Sequence, residues 1–327
     1  MDAAPRVCIV MPVFNDWAAA ELLCRHLDRV LAARPERFAV LLVDDGSMSV
    51  PEGRWPIEPL QRIDDVVMLR LTRNLGHQRA IAIGLAHVRD TMSVDAVLVM
   101  DADGEDRPED ACRLLDGLIA TRGERVVFAQ RRKRVEGLVF RAGYLLFRGV
   151  HRIVTGFAVQ VGNFSVIPAR YLPNLVVSAE LWAHYAAAVY SIRLPVELIP
   201  ADRGRRLSGQ SRMNYVQLVT HGLGALSVFR HRVGARLLIA VAALCAILFG
   251  ILGAAVAGGN PAWGLTPAIA ATLFLLILLI GITGAGMAFA MFADRQDLGV
   301  VPIRDYKPFV RSLQRMNEPR AVPVSGR

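Results

Sequence analysis

The sequence predicts an α/β fold: a mostly parallel, doubly wound sheet with helices on both faces, followed by interfacial helices and two transmembrane helices. Three observations predict it. Short apolar runs alternate with helical patterns through the first half of the 327-residue chain. These runs are apolar at consecutive positions, which is typical of strands that helices cover on both faces. The 57 residues from 237 to 293 contain no Asp, Glu, Lys, Arg or His, which is typical of membrane-spanning segments.

The predicted elements follow one another in a regular order. Helical patterns occupy residues 18–33 and 78–89, with Asp16 as the expected N-cap of the first helix, and Pro108 is expected to open a third. Strands are predicted at residues 7–11, 40–43, 66–71, 97–100 and 126–129. Such alternation gives right-handed crossovers and places ligands beyond the carboxyl ends of the strands.

Composition and charge exclude several classes of protein. A chain with 54% hydrophobic and 20% charged residues is neither disordered nor a disulfide scaffold. Of the 38 basic residues 36 are arginine, and the net charge is +9. Arginine binds phosphate through a planar fork, but a GC-rich coding sequence accounts for most of these residues. No recognisable nucleic-acid-binding module accompanies the charge, so no nucleic-acid partner is expected.

Two acidic turns follow predicted strands. Asp101 and Asp103 flank a small residue after the fourth strand, and Asp44 and Asp45 follow the second. Residues i and i+2 of an extended chain point the same way, so two carboxylates can share one Mg²⁺ or Mn²⁺ ion together with substrate phosphates. The alternative is a turn that only caps a helix. The absence of a Gly-x-Gly-x-x-Gly motif after the first strand and of a Walker A motif argues against a dinucleotide enzyme or a P-loop ATPase.

Four segments in this order resemble a known family. They are MPVFND at 11–16, VDDGS at 43–47, RNLGHQ at 73–78 and MDADGEDRPE at 100–109. Together they resemble family 2 glycosyltransferases with the GT-A fold, and most of all the polyprenyl-phosphate glycosyltransferases related to dolichol-phosphate mannose synthase. The resemblance extends from about residue 6 to the second membrane helix. It is specific for the fold and for use of a nucleotide sugar, and less so for the sugar.

The resemblance implies a role for each acidic residue. The implied nucleotide-sugar site is formed by Pro12, Asp16, Asp44, Asp45, Asp101 and Asp103. Asp101 and Asp103 would hold the metal ion and the donor diphosphate, while the carboxylates of Asp16 and Asp45 would contact the base or ribose. Asp16 stands where many relatives have Glu, which reaches further with the same chemistry. A metal ion held in this way stabilises the charge that develops on a departing diphosphate.

Two arginine-containing segments are expected to contact phosphate. Arg131 and Arg134 resemble the family's Arg-x-x-Arg segment and join the two metal-binding aspartates in the expected catalytic set; the alternative is a solvated basic loop. Residues 205–213 resemble a second family segment, in which Arg206, Ser211 and Arg212 would bind phosphate or the acceptor. A juxtamembrane cluster that binds anionic lipid is the alternative for that segment, and both roles can hold together.

One position departs from the family pattern. Many relatives carry Gly-Asp-Phe-Arg where this chain has GNFS at 162–165, so Asn163 replaces the candidate base. A phosphate monoester has a second pKa near ~6 and is largely a dianion at neutral pH. Such an acceptor needs positioning more than proton removal. We therefore expect the replacement to be compatible with a lipid-phosphate acceptor and costly for a sugar hydroxyl.

The membrane part is predicted from hydrophobicity and flanking charge. Residues 237–257 and 267–292 are each long enough to span a bilayer, and arginines precede the first span and follow the second. The protein is therefore expected in the inner or plasma membrane. Because the turn between the spans is uncharged, both termini and the catalytic domain are expected on the cytoplasmic side. Residues 141–155 are expected to form an interfacial helix, with a core-packed helix as the alternative. Small residues in the spans suit packing within or between protomers, although ordinary Gly and Ala content explains any single one.

The predicted domains and function follow. The boundaries are 1–208 for a GT-A domain, 209–232 for a juxtamembrane helix, 233–293 for two transmembrane helices and 294–327 for a cytoplasmic tail. The expected function is transfer of a sugar, with inversion, from a UDP- or GDP-sugar to a polyprenyl phosphate. The alternatives are the same donor with a lipid headgroup or protein as acceptor, and a scaffold or transport protein with a vestigial transferase domain. The uncharged spans argue against transport.

Overall fold

The computed structural model describes residues 4–51, 55, 56, 58–131, 149, 152, 155, 161–208, 215–257, 265–294 and 299–317. It forms two compact units. The first contains residues 1–135, 159–215 and 297–327, and the second contains residues 136–158 and 216–296. The sheet belongs to the first unit, and the two long apolar helices belong to the second.

The first unit is built on an eight-stranded sheet. Its strands are β1 (Arg6–Val13), β2 (Arg37–Asp44), β3 (Ile63–Leu71), β4 (Ala96–Val99), β5 (Val126–Arg131), β6 (Ser165–Pro168), β7 (Val196–Ala201) and β8 (Val310–Arg315). The spatial order is β7-β5-β6-β4-β1-β2-β3-β8. Strands β6 and β8 run antiparallel to their neighbours, and the other pairings are parallel. The predicted mostly parallel sheet is confirmed, and the five predicted strands agree with β1 to β5 to within three residues at their ends.

Helices cover both faces of the sheet. They are α1 (Trp17–Val30), α2 (His77–Thr91), α3 (Pro108–Ala120), α4 (Leu172–Val176), α5 (Glu180–Ala183) and α6 (Tyr185–Ser191). On one face α1 and α3 share a buried apolar cluster with Ile9 of β1, and on the other α2 and α6 share a second cluster with Val10. Both of these adjacent strand residues are fully buried. This double coverage explains why the strands are apolar at consecutive positions.

A close contact between α2 and the sheet depends on Gly84. A Cβ atom at this position would lie 2.7 Å from Val10 Cγ1 and 2.9 Å from Val43 Cγ2. Both neighbours are β-branched and cannot move aside, so Gly84→Ala is expected to lower the free energy of unfolding by about 1–3 kcal/mol. The measurement is thermal or denaturant unfolding of the purified chain.

Gly117→Ala in α3 is the matched control for this prediction. Its nearest contact would be Ile199 Cδ1, the flexible end of a side chain, so the loss is expected to be smaller. Equal losses for the two variants would contradict the packing argument.

Strand β8 was not predicted from the sequence. Residues 310–315 fall in the segment expected to be a tail, and they pair antiparallel with β3 at the edge of the sheet. Helix α10 (Pro302–Asp305) precedes this strand. Tyr306 follows α10, and its hydroxyl donates to Asp90 Oδ2 at 2.7 Å. Met316, just after the strand, is fully buried. The chain therefore returns to the first unit after its apolar helices.

The second unit contains the apolar helices. They follow the helix α7 (Tyr215–Ser227) and are α8 (Arg230–Ala257) and α9 (Leu265–Asp294). Two segments in them, Arg230–Ile251 and Ala271–Asp294, are long and apolar enough to cross a membrane, with mean hydropathies of 2.3 and 2.4. The interfacial helix expected at 141–155 falls almost entirely outside the described residues.

Candidate active site

The loops that follow β1 and β2 are tied together at the carboxyl edge of the sheet. The backbone N–H of Asn15 donates to Ser47 Oγ at 2.8 Å, and the N–H of Met48 donates to Asn15 Oδ1 at 2.9 Å. The N–H of Asp45 donates to the carbonyl of Val13 at 2.8 Å. Because β1 and β2 are adjacent and parallel, their following loops meet at one edge, where ligands of such sheets bind.

Asp44 and Asp45 shape these loops through their carboxylates. Asp44 is fully buried, accepts the N–H of Ser47 at 3.0 Å and pairs with Arg70 Nε at 3.3 Å. Asp45 accepts the N–H groups of Leu75 at 2.7 Å and Gly76 at 2.9 Å, just before α2 begins. Both carboxylates therefore stabilise the loops, and their contact with a nucleotide stays a prediction.

Burial gives Asp45 an unusual pKa. Removal from water raises the pKa of this carboxyl group to about 6, although the N–H groups of Leu75 and Gly76 lower it in part. The native state therefore binds a proton more readily than the unfolded chain, in which the pKa is near 3.8. Stability from this group is complete below about pH 4 and is lost as the pH rises through about 6.

The Asp45→Asn variant, which cannot ionise, is expected to lack this pH dependence. Relative to it, the wild type should lose up to about 3 kcal/mol of unfolding free energy between pH 4 and pH 7. Thermal unfolding of both proteins in the same detergent over this range is the measurement. A difference that stays constant with pH would contradict the assignment.

Asp16 and Pro12 lie at the end of β1. Pro12 is buried in the strand opposite Val43. Asp16 is the N-cap residue of α1, as predicted, but its side chain accepts no capping hydrogen bond. Its Oδ2 atom instead accepts Nη2 of Arg206 at 2.5 Å. A charge-assisted bond to a guanidinium is stronger than one to a neutral backbone N–H, which explains the choice of partner.

The turn after β4 carries Asp101 and Asp103. Asp106 Oδ2 accepts the backbone N–H of Asp101 at 3.0 Å, and Asp103 Oδ1 accepts that of Glu105 at 2.9 Å. The pKa of Asp103 is raised, first by burial and then by the charges of Asp101 and Glu105. Like charges are thus gathered in one turn, and a cation in that turn would relieve their repulsion.

A segment from Arg203 to Ser208 lies against this acidic turn. The N–H of Leu207 donates to the carbonyl of Asp103 at 2.9 Å, and that of Gly204 to Glu105 at 2.8 Å. Gly104 makes the close approach possible, because its φ is +84° and an added Cβ would lie 2.4 Å from Leu207 Cγ. The segment is thereby fixed over the turn by its backbone.

Arg206 of this segment connects two loops of the site. Its guanidinium contacts Asp16 at 2.5 Å and Asp103 Oδ2 at 3.5 Å. One carboxylate follows β1 and the other follows β4, which are adjacent in the sheet. Three of the residues predicted from different parts of the sequence are therefore brought together around a single positive charge.

Two further residues of the site carried no assigned role in the sequence analysis. His77, the first residue of α2, lies with Nε2 3.1 Å from Asp101 Oδ1. The same nitrogen lies 2.9 Å from Nδ2 of Asn163, and Gln78 Nε2 donates to Asn163 Oδ1 at 3.1 Å. Partial removal of water from around the ring lowers the pKa of His77, but the charges of nearby carboxylates, Asp101 first, raise it by more, so the net direction is upward. The segment at 73–78 was the available sequence signal for His77 and Gln78.

The donor set of the acidic turn fits a hard divalent cation. Among the described residues, no cluster of three or more His, Cys, Asp or Glu side chains forms a metal cage. Asp101 and Asp103 are partly exposed, with 29% and 19% of their side chains accessible. Mg²⁺ usually takes one or two carboxylates and completes its coordination with water and substrate phosphates. Two partly accessible carboxylates meet that requirement.

Several predicted residues have no described side chain. Arg131 ends β5, and only its backbone position is described. Arg134, Ser211 and Arg212 lie outside the described residues, so their predicted contacts with phosphate stay predictions.

Comparison with known proteins assigns the family. The family model described as glycosyl transferase family 2 matches residues 8–168, which include β1 to β6 and the acidic turn. Residues 8–168 form a family 2 glycosyltransferase domain. The match agrees with the resemblance carried by the four sequence segments, and with the sheet it confirms the GT-A fold class.

Named relatives of this chain include two undecaprenyl-phosphate 4-deoxy-4-formamido-L-arabinose transferases. The protein of Klebsiella pneumoniae (strain 342) is 28% identical over 221 residues, which cover 65% of this chain and 64% of the relative. That of Salmonella choleraesuis (strain SC-B67) is 27% identical over 227 residues, which cover 67% and 66%. The chain thus spans slightly less than two thirds of the length of these relatives.

Solved structures similar to this chain are more distant in sequence. Mannosyl-3-phosphoglycerate synthase from Rubrobacter xylanophilus is 16% identical with a TM-score of 0.48, covering 70% of this chain and 74% of that one. Glucosyl-3-phosphoglycerate synthase from Mycobacterium tuberculosis, in complex with Mn²⁺, UDP-glucose and phosphoglyceric acid, is 15% identical with a TM-score of 0.47, covering 71% and 81%.

Proposed function

We propose that the chain is a membrane-anchored, inverting glycosyltransferase that moves a sugar from a UDP- or GDP-sugar to a polyprenyl phosphate on the cytoplasmic face. The observation that carries the proposal is the meeting of Asp16, Asp103 and Arg206 at the carboxyl edge of the sheet. A nucleotide sugar requires a carboxylate that binds the nucleoside, a carboxylate that binds a cation and an arginine that binds phosphate. All three kinds of group meet here.

The donor is held through its nucleoside and its diphosphate. Asp16 and Asp45 bind the base or ribose, and Pro12 packs beside them. Asp101 and Asp103 hold Mg²⁺ or Mn²⁺, which when bound neutralises the charge of the diphosphate leaving group. Arg206 already lies 3.5 Å from Asp103, so its guanidinium can turn to the donor phosphates with a small movement.

The acceptor side favours a group that is already ionised. A neutral amide, Asn163, stands beside His77 and Gln78 where many relatives have a carboxylate. A sugar hydroxyl needs a base to remove its proton, whereas a phosphate monoester, with a second pKa near ~6, is largely a dianion at neutral pH. The names of the relatives, which contain undecaprenyl phosphate, support a polyprenyl phosphate.

The proposed transfer is a single displacement. An oxygen of the acceptor phosphate forms a bond to the anomeric carbon, and the bond from that carbon to the donor diphosphate breaks with its electron pair on the diphosphate. The configuration at the carbon is therefore inverted. Arg131, Arg134, Arg206 and Arg212 are expected to hold the donor and acceptor phosphates in line.

The path of the chain supports anchoring by a pair of spans. Strand β3 precedes the two apolar helices and β8 follows them, yet the two strands pair in one sheet. They must therefore lie on the same side of a membrane, and α8 and α9 can cross it only as a pair. Arg232 and Arg236 lie near the start of the first span and Lys307 follows the second, which favours the cytoplasmic side for the sheet.

Purified full-length protein, incubated with polyprenyl phosphate, Mg²⁺ or Mn²⁺ and a panel of labelled UDP- and GDP-sugars, tests the proposal. Transfer of one sugar to the lipid phosphate is the expected result. Transfer only to a lipid headgroup or a protein would overturn the acceptor assignment, and transfer to no acceptor would overturn the activity.

Asn163→Asp tests the acceptor argument separately. Because a dianionic phosphate needs no base, the variant is expected to show no gain with polyprenyl phosphate. A large gain with polyprenyl phosphate would contradict the proposal, since it would show that this acceptor also needs a base at position 163.

A further inference from the structure

A chain of contacts links the buried core of the first unit to the acidic turn. The backbone N–H of Tyr185, whose side chain is fully buried, donates to Gln78 Oε1 at 2.7 Å. Gln78 Nε2 donates to Asn163 Oδ1 at 3.1 Å. Asn163 Nδ2 lies 2.9 Å from His77 Nε2, which lies 3.1 Å from Asp101 Oδ1. The chain therefore ends on a carboxylate of the proposed cation site.

The orientation of each amide in this chain is fixed by its neighbour. A backbone N–H can only donate, so Gln78 presents its oxygen to Tyr185 and its nitrogen to Asn163. Asn163 must then present its oxygen to Gln78 and its nitrogen to His77. The backbone of Asn163 is also held, because Ser165 Oγ donates to its carbonyl at 2.9 Å. The Ser165 hydroxyl lies 2.6 Å from that of Tyr185, so two routes from the core converge on Asn163.

One ring nitrogen of His77 consequently stands between an amide and a carboxylate. When Nε2 carries a proton it donates to Asp101, and when it does not it accepts from Nδ2 of Asn163. It cannot do both at once. The contact with a carboxylate is charge-assisted and is the stronger of the two. The neutral Asn163 therefore competes only weakly, whereas a carboxylate at that position would compete with Asp101 for the same N–H.

We propose that His77 is a positioning residue of the cation site, which holds the Asp101 carboxylate through Nε2, and that Asn163, as a neutral amide, leaves this nitrogen to Asp101. The inference rests on the proposed function, because it takes Asp101 as a ligand of the divalent cation. Partners that orient a metal ligand typically change metal affinity by about 10–100-fold. His77 is 41% exposed and makes a single contact with Asp101, so the lower end of that range is expected.

The test is the affinity of the full-length protein for Mn²⁺, measured without acceptor. Free Mn²⁺ is followed by electron paramagnetic resonance with saturating UDP, and with GDP in a second series. His77→Ala is expected to weaken Mn²⁺ binding about tenfold. His77→Gln, whose amide N–H can still reach Asp101, is expected to restore most of the affinity. His87→Gln is the matched control, because His87 lies on the same helix and contacts Thr91.

A double-mutant cycle tests whether Asn163 acts through His77. Asn163→Ala removes only the weaker partner of Nε2, so its Mn²⁺ affinity should stay near the wild-type value, whereas Asn163→Asp supplies a competing carboxylate and should weaken Mn²⁺ binding. The double variant of His77→Ala with Asn163→Asp should bind Mn²⁺ as weakly as His77→Ala and no more weakly, because the competing carboxylate acts on Asp101 only through Nε2 of His77. The Mn²⁺ affinities of the variants can be compared even if one variant is less stable, provided that circular dichroism shows that each protein is folded.

Several outcomes would overturn the inference. They are wild-type affinity in His77→Ala, a His77→Gln variant as weak as the alanine variant, and strictly additive effects in the cycle. A wild type that binds no Mn²⁺ with either nucleotide would overturn the cation site and the inference with it. Failure of polyprenyl phosphate as acceptor would overturn the proposed function alone, since the Mn²⁺ titrations contain no acceptor.

Discussion

Replacing Asp103 with asparagine is expected to reduce sugar transfer by about 10³-fold, because removal of a charged cation ligand costs several kcal/mol of transition-state stabilisation. The amide oxygen can still accept the N–H of Glu105, which Asp103 Oδ1 accepts at 2.9 Å, so the turn should keep its shape. The amide nitrogen, however, would face the guanidinium of Arg206 with like polarity. Transfer to polyprenyl phosphate is measured at saturating donor and Mn²⁺, with thermal unfolding of the variant as a check on folding.

The matched control for Asp103→Asn is Asp64→Asn. It makes the same chemical change in a side chain that is 42% exposed and pairs with Arg37 at 2.8 Å on the surface. Surface pairs of this kind contribute little to stability, so transfer should remain at the wild-type level. Transfer by Asp103→Asn within about tenfold of the wild type would show that Asp103 is not a cation ligand.

Strands β1 to β5 and the acidic turns could be predicted from the sequence because burial on both faces leaves a clear pattern, whereas β6, β7 and β8 were not predicted. Strand β4 is completely buried, and its run of apolar residues stops where Asp101 begins the turn. In a parallel sheet this also predicts the edge at which the site forms. The positions of Asp101 and Asp103 therefore follow from local sequence and one topological rule.

Strand β8 could not be predicted in the same way. It lies at an edge, where one side of the strand is unpaired, and most of its residues are exposed or half-buried. Leu313 in its middle is 54% exposed, and Arg311 and Arg315 interrupt any apolar pattern. Its stability depends on backbone pairing with β3, which leaves no signature in the identity of the side chains.

Contacts between distant segments were also beyond the sequence. His77 and Asn163 are separated by 86 positions, and neither residue type indicates the other as its partner. Asp16 looked like a helix cap because Asp is common there, but Arg206, 190 positions later, takes its carboxylate. Tertiary contact outweighed the local preference in this case because a charged partner was available.

Replacing Arg206 is expected to have the second large effect, and its direction differs between the two measurements: sugar transfer should fall and Mn²⁺ affinity should rise. In the structure the Arg206 guanidinium pairs with Asp16 and contacts Asp103, so its positive charge acts on a carboxylate of the proposed cation site. When a cation binds, the Arg206 guanidinium must move away from the carboxylates, and it would then donate hydrogen bonds to the donor diphosphate. Arg206→Gln removes the competing charge, so Mn²⁺ alone should bind about tenfold more tightly, which is the order of magnitude of the Coulomb energy between close charges in water.

Transfer by Arg206→Gln is nevertheless expected to fall by about 10²-fold, because a charge-assisted contact with phosphate is lost. The increase in Mn²⁺ affinity that UDP or GDP causes should also be smaller in the variant, because it has no guanidinium that can move from the carboxylates to the diphosphate. Mn²⁺ affinity is measured with and without UDP or GDP, beside the transfer rate.

Arg205→Gln is the control for net charge, since this exposed neighbour carries the same charge one position earlier. It should leave Mn²⁺ affinity, its dependence on nucleotide and the transfer rate near wild-type values. If Arg206→Gln binds Mn²⁺ alone no more tightly than the wild type does, the guanidinium is not competing with the cation. Arg206 would then act only by holding Asp16 and the segment at 203–208 in place, and the increase in Mn²⁺ affinity is the measurement that separates the two roles.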